Sequence, residues 1–126
     1  MVPITRTIEI TAIAEHLREY SDSNHSRFAF GYTITIKNRG DTAVRLLNRY
    51  WIITNANGEK QTIQGKGVVG KQPLIPPGQS YRYSSGTLLS TPVGTMQGSY
   101  KMIDTNGVLF DAIIPPFRLA KPELVN

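Results

Sequence analysis

The chain has no cysteine. That excludes disulfides, Cys-ligated zinc, iron–sulfur clusters and thiol nucleophiles together, and it fits a reducing cytoplasm. No apolar run approaches the ~20 residues that a membrane helix requires, so no membrane insertion is expected. The opening Met1-Val2-Pro3-Ile4-Thr5-Arg6-Thr7 has no apolar core of a signal peptide. Histidine is scarce: His16 and His25 are the two present, and their spacing matches no common zinc motif. The nine acids are mostly isolated, which speaks against paired-carboxylate chemistry. Glu15, His16, Glu19, Asp22 and His25 form the densest polar group, a weak divalent-ion candidate otherwise read as a solvated loop. No cofactor is expected.

The formal charge is +5, with 14 Lys and Arg against 9 Asp and Glu over 126 residues. A basic balance favours anionic partners, but the cations never form a run of three. That scatter argues against nucleic acid. The length suits one domain, 1–126, ending in a loose tail over 120–126.

What is present is alternation. From Phe28 to Lys37 every even position is apolar or aromatic, which marks a strand with one buried face. Ile4, Ile8, Ile10, Ala12 and Ala14 share one parity, with Arg6 interrupting that face; Met96–Met102 and Val108–Ile114 alternate likewise. A short helix over Ala12–Tyr20 is the competing reading of the first segment. Val44–Ile53 loads both faces, as a central or bulged strand does, with Trp51 assigned to the core. Asn57-Gly58 and Asn106-Gly107 predict two-residue type I′ hairpin turns. Pro76-Pro77-Gly78 predicts a further turn. About seven strands without helical crossovers indicate an all-β antiparallel two-sheet sandwich, immunoglobulin- or fibronectin type III-like.

One motif is conspicuous. Gly65-Lys66-Gly67-Val68-Val69-Gly70 matches the dinucleotide pattern G-x-G-x-x-G. Its context is wrong, because Lys71-Gln72-Pro73-Leu74-Ile75-Pro76-Pro77 cannot supply the helix that faces a pyrophosphate. Two readings remain: glycines that bend the chain between strands, or a free loop whose backbone N–H groups, with Lys66 and Lys71, take a phosphate-containing small molecule. The ligand-binding candidates are therefore Gly65, Lys66, Gly67, Gly70 and Lys71. Ser84-Ser85-Gly86 is not a nucleophile elbow. Arg45, Arg49, Tyr50 and Trp51, with Tyr81-Arg82-Tyr83, could form a basic-aromatic surface, although alternation turns Tyr81 and Tyr83 toward the core.

Arg49–Thr54, Gly65–Pro73, Pro77-Gly78, Tyr83–Gly86, Thr91–Tyr100 and Pro116–Leu119, in this order, resemble the ApaG family. The resemblance runs from about Phe28 to Leu119. It implies a fibronectin type III-like fold in a bacterial cytoplasmic protein, associated as CorD with cobalt and magnesium efflux. The gene's frequent neighbour is a diadenosine tetraphosphate hydrolase. Related domains in F-box proteins and a polymerase delta-interacting protein look like protein-binding modules. No catalytic set carries over; the glycine motif does, onto Gly65, Gly67 and Gly70. Asn55 stands where many relatives have aspartate, Lys66 where they have an acid or proline, and Thr87 where they have cysteine. Expected is a non-catalytic module contacting an unknown protein partner, with a homodimer through open strand edges as a further expectation. Anion or nucleotide binding by loop 65–70 is the alternative, and a metal-dependent phosphohydrolase the second.

Overall fold

The computed structural model describes residues 7–121. Eight strands follow one another: β1 (Ile8–His16), β2 (Phe28–Asn38), β3 (Val44–Asn55), β4 (Lys60–Lys66), β5 (Leu74–Ile75), β6 (Ser80–Leu89), β7 (Val93–Asp104) and β8 (Leu109–Ala120). They form two antiparallel sheets, β1-β2-β6 and β4-β3-β7-β8, with the short β5 paired to β3. This is the fibronectin type III-like sandwich that the alternation predicts, with β5 as an addition.

The expected helix over Ala12–Tyr20 is not formed. Its first part continues β1 to His16, paired with Phe30, and only Arg18–Tyr20 closes a 3-10 turn. Period-two burial, with β2 supplying a hydrogen-bonded neighbour, outweighs a weak local helical preference. Arg6 and the opening residues lie outside the described residues. Of the expected loose tail, Ala120 pairs with Val93 and Lys121 donates its N–H to Pro92 O; 122–126 lie outside the described residues.

The core lies between the sheets. Ile34, Ile36, Leu46, Tyr100, Met102 and Leu119 are fully buried there. Trp51 is 2% exposed, with Tyr32, Tyr100 and Phe117 packed edge-on around its indole. The buried Asn38 pins β2 to β5: its Nδ2 donates to Thr42 O and Ile75 O, and its Oδ1 accepts from Gly40 N. Every polar atom of that amide side chain is satisfied, which is the condition for burying it.

Two irregularities set which residues face inward. Leu46 pairs with Met102, but Asn48 pairs with Lys101, so Leu47 is an extra residue in β3. Before it, Val44 and Leu46 face the core; after it, Arg49, Trp51 and Ile53 do. That bulge explains why Val44–Ile53 loads both faces. In β8, Pro115 and Pro116 fall at the second irregularity, between the pairs Gly98–Ile114 and Met96–Phe117. A proline lacks the N–H that a ladder needs, so a bulge is where it fits.

Candidate functional site

The glycine motif lies over the β3 bulge. β4 ends at Lys66 and β5 begins at Leu74, so the glycines bend a chain between strands, and no helix begins there. The Leu47 carbonyl, put out of ladder register by the bulge, accepts from Gly67 N (2.7 Å) and Gln72 Nε2 (3.0 Å). Arg49 returns the contact: its Nη1 donates to Lys66 O (3.2 Å) and Gly67 O (3.1 Å). Arg45 Nη1 donates to Gln72 O at 2.8 Å. Loop and bulge therefore satisfy one another's backbone groups.

Two of the three glycines have separate spatial reasons. A Cβ on Gly65 would lie 2.6 Å from the Arg49 guanidinium, which rests on that bare backbone. A Cβ on Gly67 would overlap the Lys71 carbonyl oxygen, and the residue has φ +66°. Gly70, at φ +76°, completes a tight turn in which Val68 N donates to Lys71 O and Lys71 N to Val68 O. The two central residues, Val69 and Gly70, both have positive φ, so this is a type I′ turn. Val69 is the surprise. A β-branched residue at φ +47° is a strained outlier, and its side chain is 63% exposed. Val68 beside it is fully buried and anchors the loop in the core.

Of the candidates, Lys66 and Lys71 are exposed at this tip, Gly65 is half-covered and Gly67 is buried. The N–H groups of Gly67, Val68 and Lys71 are already donors within the protein. Between Asp41 and Asp104 the one acid is Glu59, whereas Arg45, Arg49, Lys60, Lys66, Lys71, Arg82 and Lys101 all fall there.

A tyrosine cluster adjoins Arg49 on the inner side. The hydroxyls of Tyr83 and Tyr100 are hydrogen-bonded to each other. Burial pushes both phenols well above their ordinary value and raises that of Tyr32; Arg49 opposes the shift at all three. These phenols stay neutral, so they act as packing and hydrogen-bonding groups rather than bases. Of the expected basic-aromatic surface, Trp51 and Tyr83 are core, Tyr81 is half-buried, and Tyr50 alone of the four rings faces the outer side of its sheet. There Tyr50, Gln64, Gly65, Ser99, Lys101 and Asp111 line an open recess of about 460 Å3. Lys101 Nζ pairs with Asp111 Oδ1 at 3.2 Å. Sequence reasoning missed this recess, because the parity change at Leu47 decides which residues reach it.

The acidic-histidine segment does not converge. His25 Nδ1 pairs with Asp22 Oδ2 at 2.5 Å, while His16 Nε2 meets Ser21 Oγ at 3.1 Å. Among the described residues no three His, Asp or Glu side chains gather, and no helix is long and apolar enough to cross a membrane.

Comparison with known proteins agrees with this architecture. The ApaG domain model matches residues 18–104. Protein ApaG of Pseudomonas putida is 55% identical over 119 residues, covering 94% of each chain. Protein ApaG of Escherichia coli is 53% identical over 111 residues, covering 88% of this chain and 89% of the other. A Northeast Structural Genomics Consortium target superposes with a TM-score of 0.92 at 46% identity, covering 97% of this chain and 92% of that one. An ApaA protein of Bordetella pertussis superposes at 0.89 with 38% identity, covering 91% and 94%. The chain is thus a member of the ApaG family.

Proposed function

We propose that the protein is a non-catalytic binding module whose loop 65–71 contacts a protein partner through a cationic, apolar tip. The observation that carries this reading is Val69: an exposed apolar side chain held at φ +47°, between the exposed Lys66 and Lys71. A strained conformation persists where the surroundings over-determine it, and such outliers cluster at functional contacts. Asn or Gly would take this backbone without strain, and either would remove the apolar contact. The spent N–H groups of Gly67, Val68 and Lys71 leave the two lysines and Val69 as what the tip offers a partner, a combination suited to an acidic protein surface with an apolar spot. The tie to cobalt and magnesium tolerance implied by the family resemblance would run through that partner, in the cytoplasm.

The test is a photo-crosslinker placed at residue 69 of the full chain, with partners recovered from cell lysate. Lys66→Glu with Lys71→Glu should cut recovery of the crosslinked partner by about tenfold. Added salt should weaken it further. Recovery indifferent to both charges would reject the reading. Dinucleoside polyphosphates at millimolar concentration should leave the amides of Gly65–Gly70 unmoved; saturable shifts there would favour the anion-binding alternative.

A further inference from the structure

The sandwich is closed on one flank and open on the other. β1 packs beside β8 on the closed flank. On the open flank β6 lies over β3: Leu89 and Ile53 line one recess, and Tyr83 reaches Tyr100 on the neighbouring β7. The second sheet then continues one strand further, to β4, with no described strand of the first sheet above it. Among the described residues β6 is thus a free edge with a floor beside it.

The hydrogen-bond phase of that edge can be read from β2. Leu17 N donates to Ala29 O and Arg39 N to Thr7 O, so the odd residues of β2 bond toward β1. Asn38 N donates to Gln79 O, so the even residues bond toward β6. Their partners on β6 are Tyr81, Tyr83, Ser85, Thr87 and Leu89. Ser80, Arg82, Ser84, Gly86 and Leu88 therefore point their N–H and C=O groups off the sheet. The pairing with β2 runs unbroken from Ser80 to Leu89, and no proline interrupts it. Natural edges are usually blunted by charges, prolines or bulges, and here Arg82 is the single charge.

The floor has a chemical character. Ile63 of β4 is half-buried, Gly65 offers bare backbone, and Arg49 lies across it. Arg49 Nη1 bonds to the carbonyls of Lys66 and Gly67, and among the described residues no ion pair joins Arg49 to a carboxylate. At the far end, Ile53, Gln61, Leu88 and Leu89 line a recess of about 200 Å3. Ser85 faces inward by parity, is hydrogen-bonded to the Tyr32 side chain and is nevertheless exposed.

We infer that the β6 edge and the β4 floor form a groove that takes an extended acidic segment of a partner protein as an added strand. Main-chain bonds to the five outward residues would supply affinity. Side chains facing inward would supply selectivity: an apolar residue opposite Ser85, above Ile63, and a carboxylate two residues away, opposite Tyr83, for Arg49. A second copy of this chain does not fit by antiparallel pairing of two β6 strands. A two-fold axis through adjoining β6 strands would put each β4 where the other copy has β3, about 4.8 Å being the room for one strand. The inference rests on the binding-module reading and names a second contact surface for it.

The probe is an acetylated, amidated peptide of roughly nine residues, β-prone, with Glu and Val two positions apart, titrated into the isotopically labelled full chain. The amides of Ser80, Arg82, Ser84, Gly86 and Leu88 should shift saturably and gain exchange protection. Replacing the peptide's Glu by Lys should weaken binding by about tenfold. Ser84→Pro removes one outward N–H and leaves the β2 ladder intact, so it should fold and weaken binding by at least about tenfold. Ile63→Asp is the second variant, should the proline perturb the strand. Unmoved edge amides at millimolar peptide, equal binding of the Lys peptide, or full binding to both variants would overturn the inference. So would concentration-dependent shifts of these amides without peptide, which would indicate a second copy. Loss of the groove alone, with crosslinking at residue 69 intact, would leave the module reading standing.

Discussion

Three tight turns in the second sheet contain a left-handed glycine, and two of them are built alike. At Asn55–Glu59 and at Asp104–Val108 the first residue's side-chain oxygen accepts two N–H groups, from the residues two and four further on. In each, the glycine N–H closes the turn on the first carbonyl, and Gly58 or Gly107 carries φ near +80°. The Val68–Lys71 turn has no such side-chain cap and sets valine where the other two keep ordinary backbone angles. The first two turns are stabilised by their own residues. The third is stabilised by what it sits on: Gly67 on the Leu47 carbonyl, Val68 in the core and Arg49 on the loop carbonyls. A self-sufficient turn joins strands; a turn held from below can carry an unfavourable residue at its tip.

Substitutions should separate the two kinds. The largest effect is expected at Gly67, where alanine must displace the Lys71 carbonyl and hold positive φ; a loss of about 3 kcal/mol in denaturant unfolding should follow. Asp104→Ala leaves two N–H groups without their acceptor and should cost about 1–2 kcal/mol, and Asn55→Ala a similar amount. Gly107→Ala meets open space, so only the backbone penalty of about 1 kcal/mol applies. Val69→Asn should do the opposite and raise stability by about 0.5 kcal/mol, since Asn tolerates this conformation. The comparison breaks if Val69→Asn destabilises, or if Asp104→Ala leaves the unfolding midpoint unchanged.

Much of this fold is legible in the residues. Alternation in Phe28–Lys37 and Met96–Met102 places strands and their buried faces, because a one-residue slip would turn every side chain over. The glycine motif is legible as a bend, because prolines downstream deny it a helix. The Asn-Gly pairs predict type I′ turns, whereas the structure has there ordinary turns followed by a left-handed glycine. The reason is the residue at the head of each turn: its side-chain oxygen captures the N–H two places on, which holds the central pair in the right-handed region. The type I′ turn occurs instead at Val69-Gly70, where no local preference points to it. The open flank was foreseeable only in outline, as an edge. Which residues of β6 face off the sheet depends on the phase of its bonds to β2, and the floor under them depends on the unequal number of strands in the two layers.

Leu47 bears on how this domain can change over generations. Removing that one residue would leave Leu46 and Asn48 adjacent, opposite the adjacent Met102 and Lys101, so β3 would alternate simply with Trp51 and Ile53 still inside. A single-codon deletion there would keep the interior of the protein and take away the carbonyl on which Gly67 and Gln72 rest, so the loop could be lost without the sandwich.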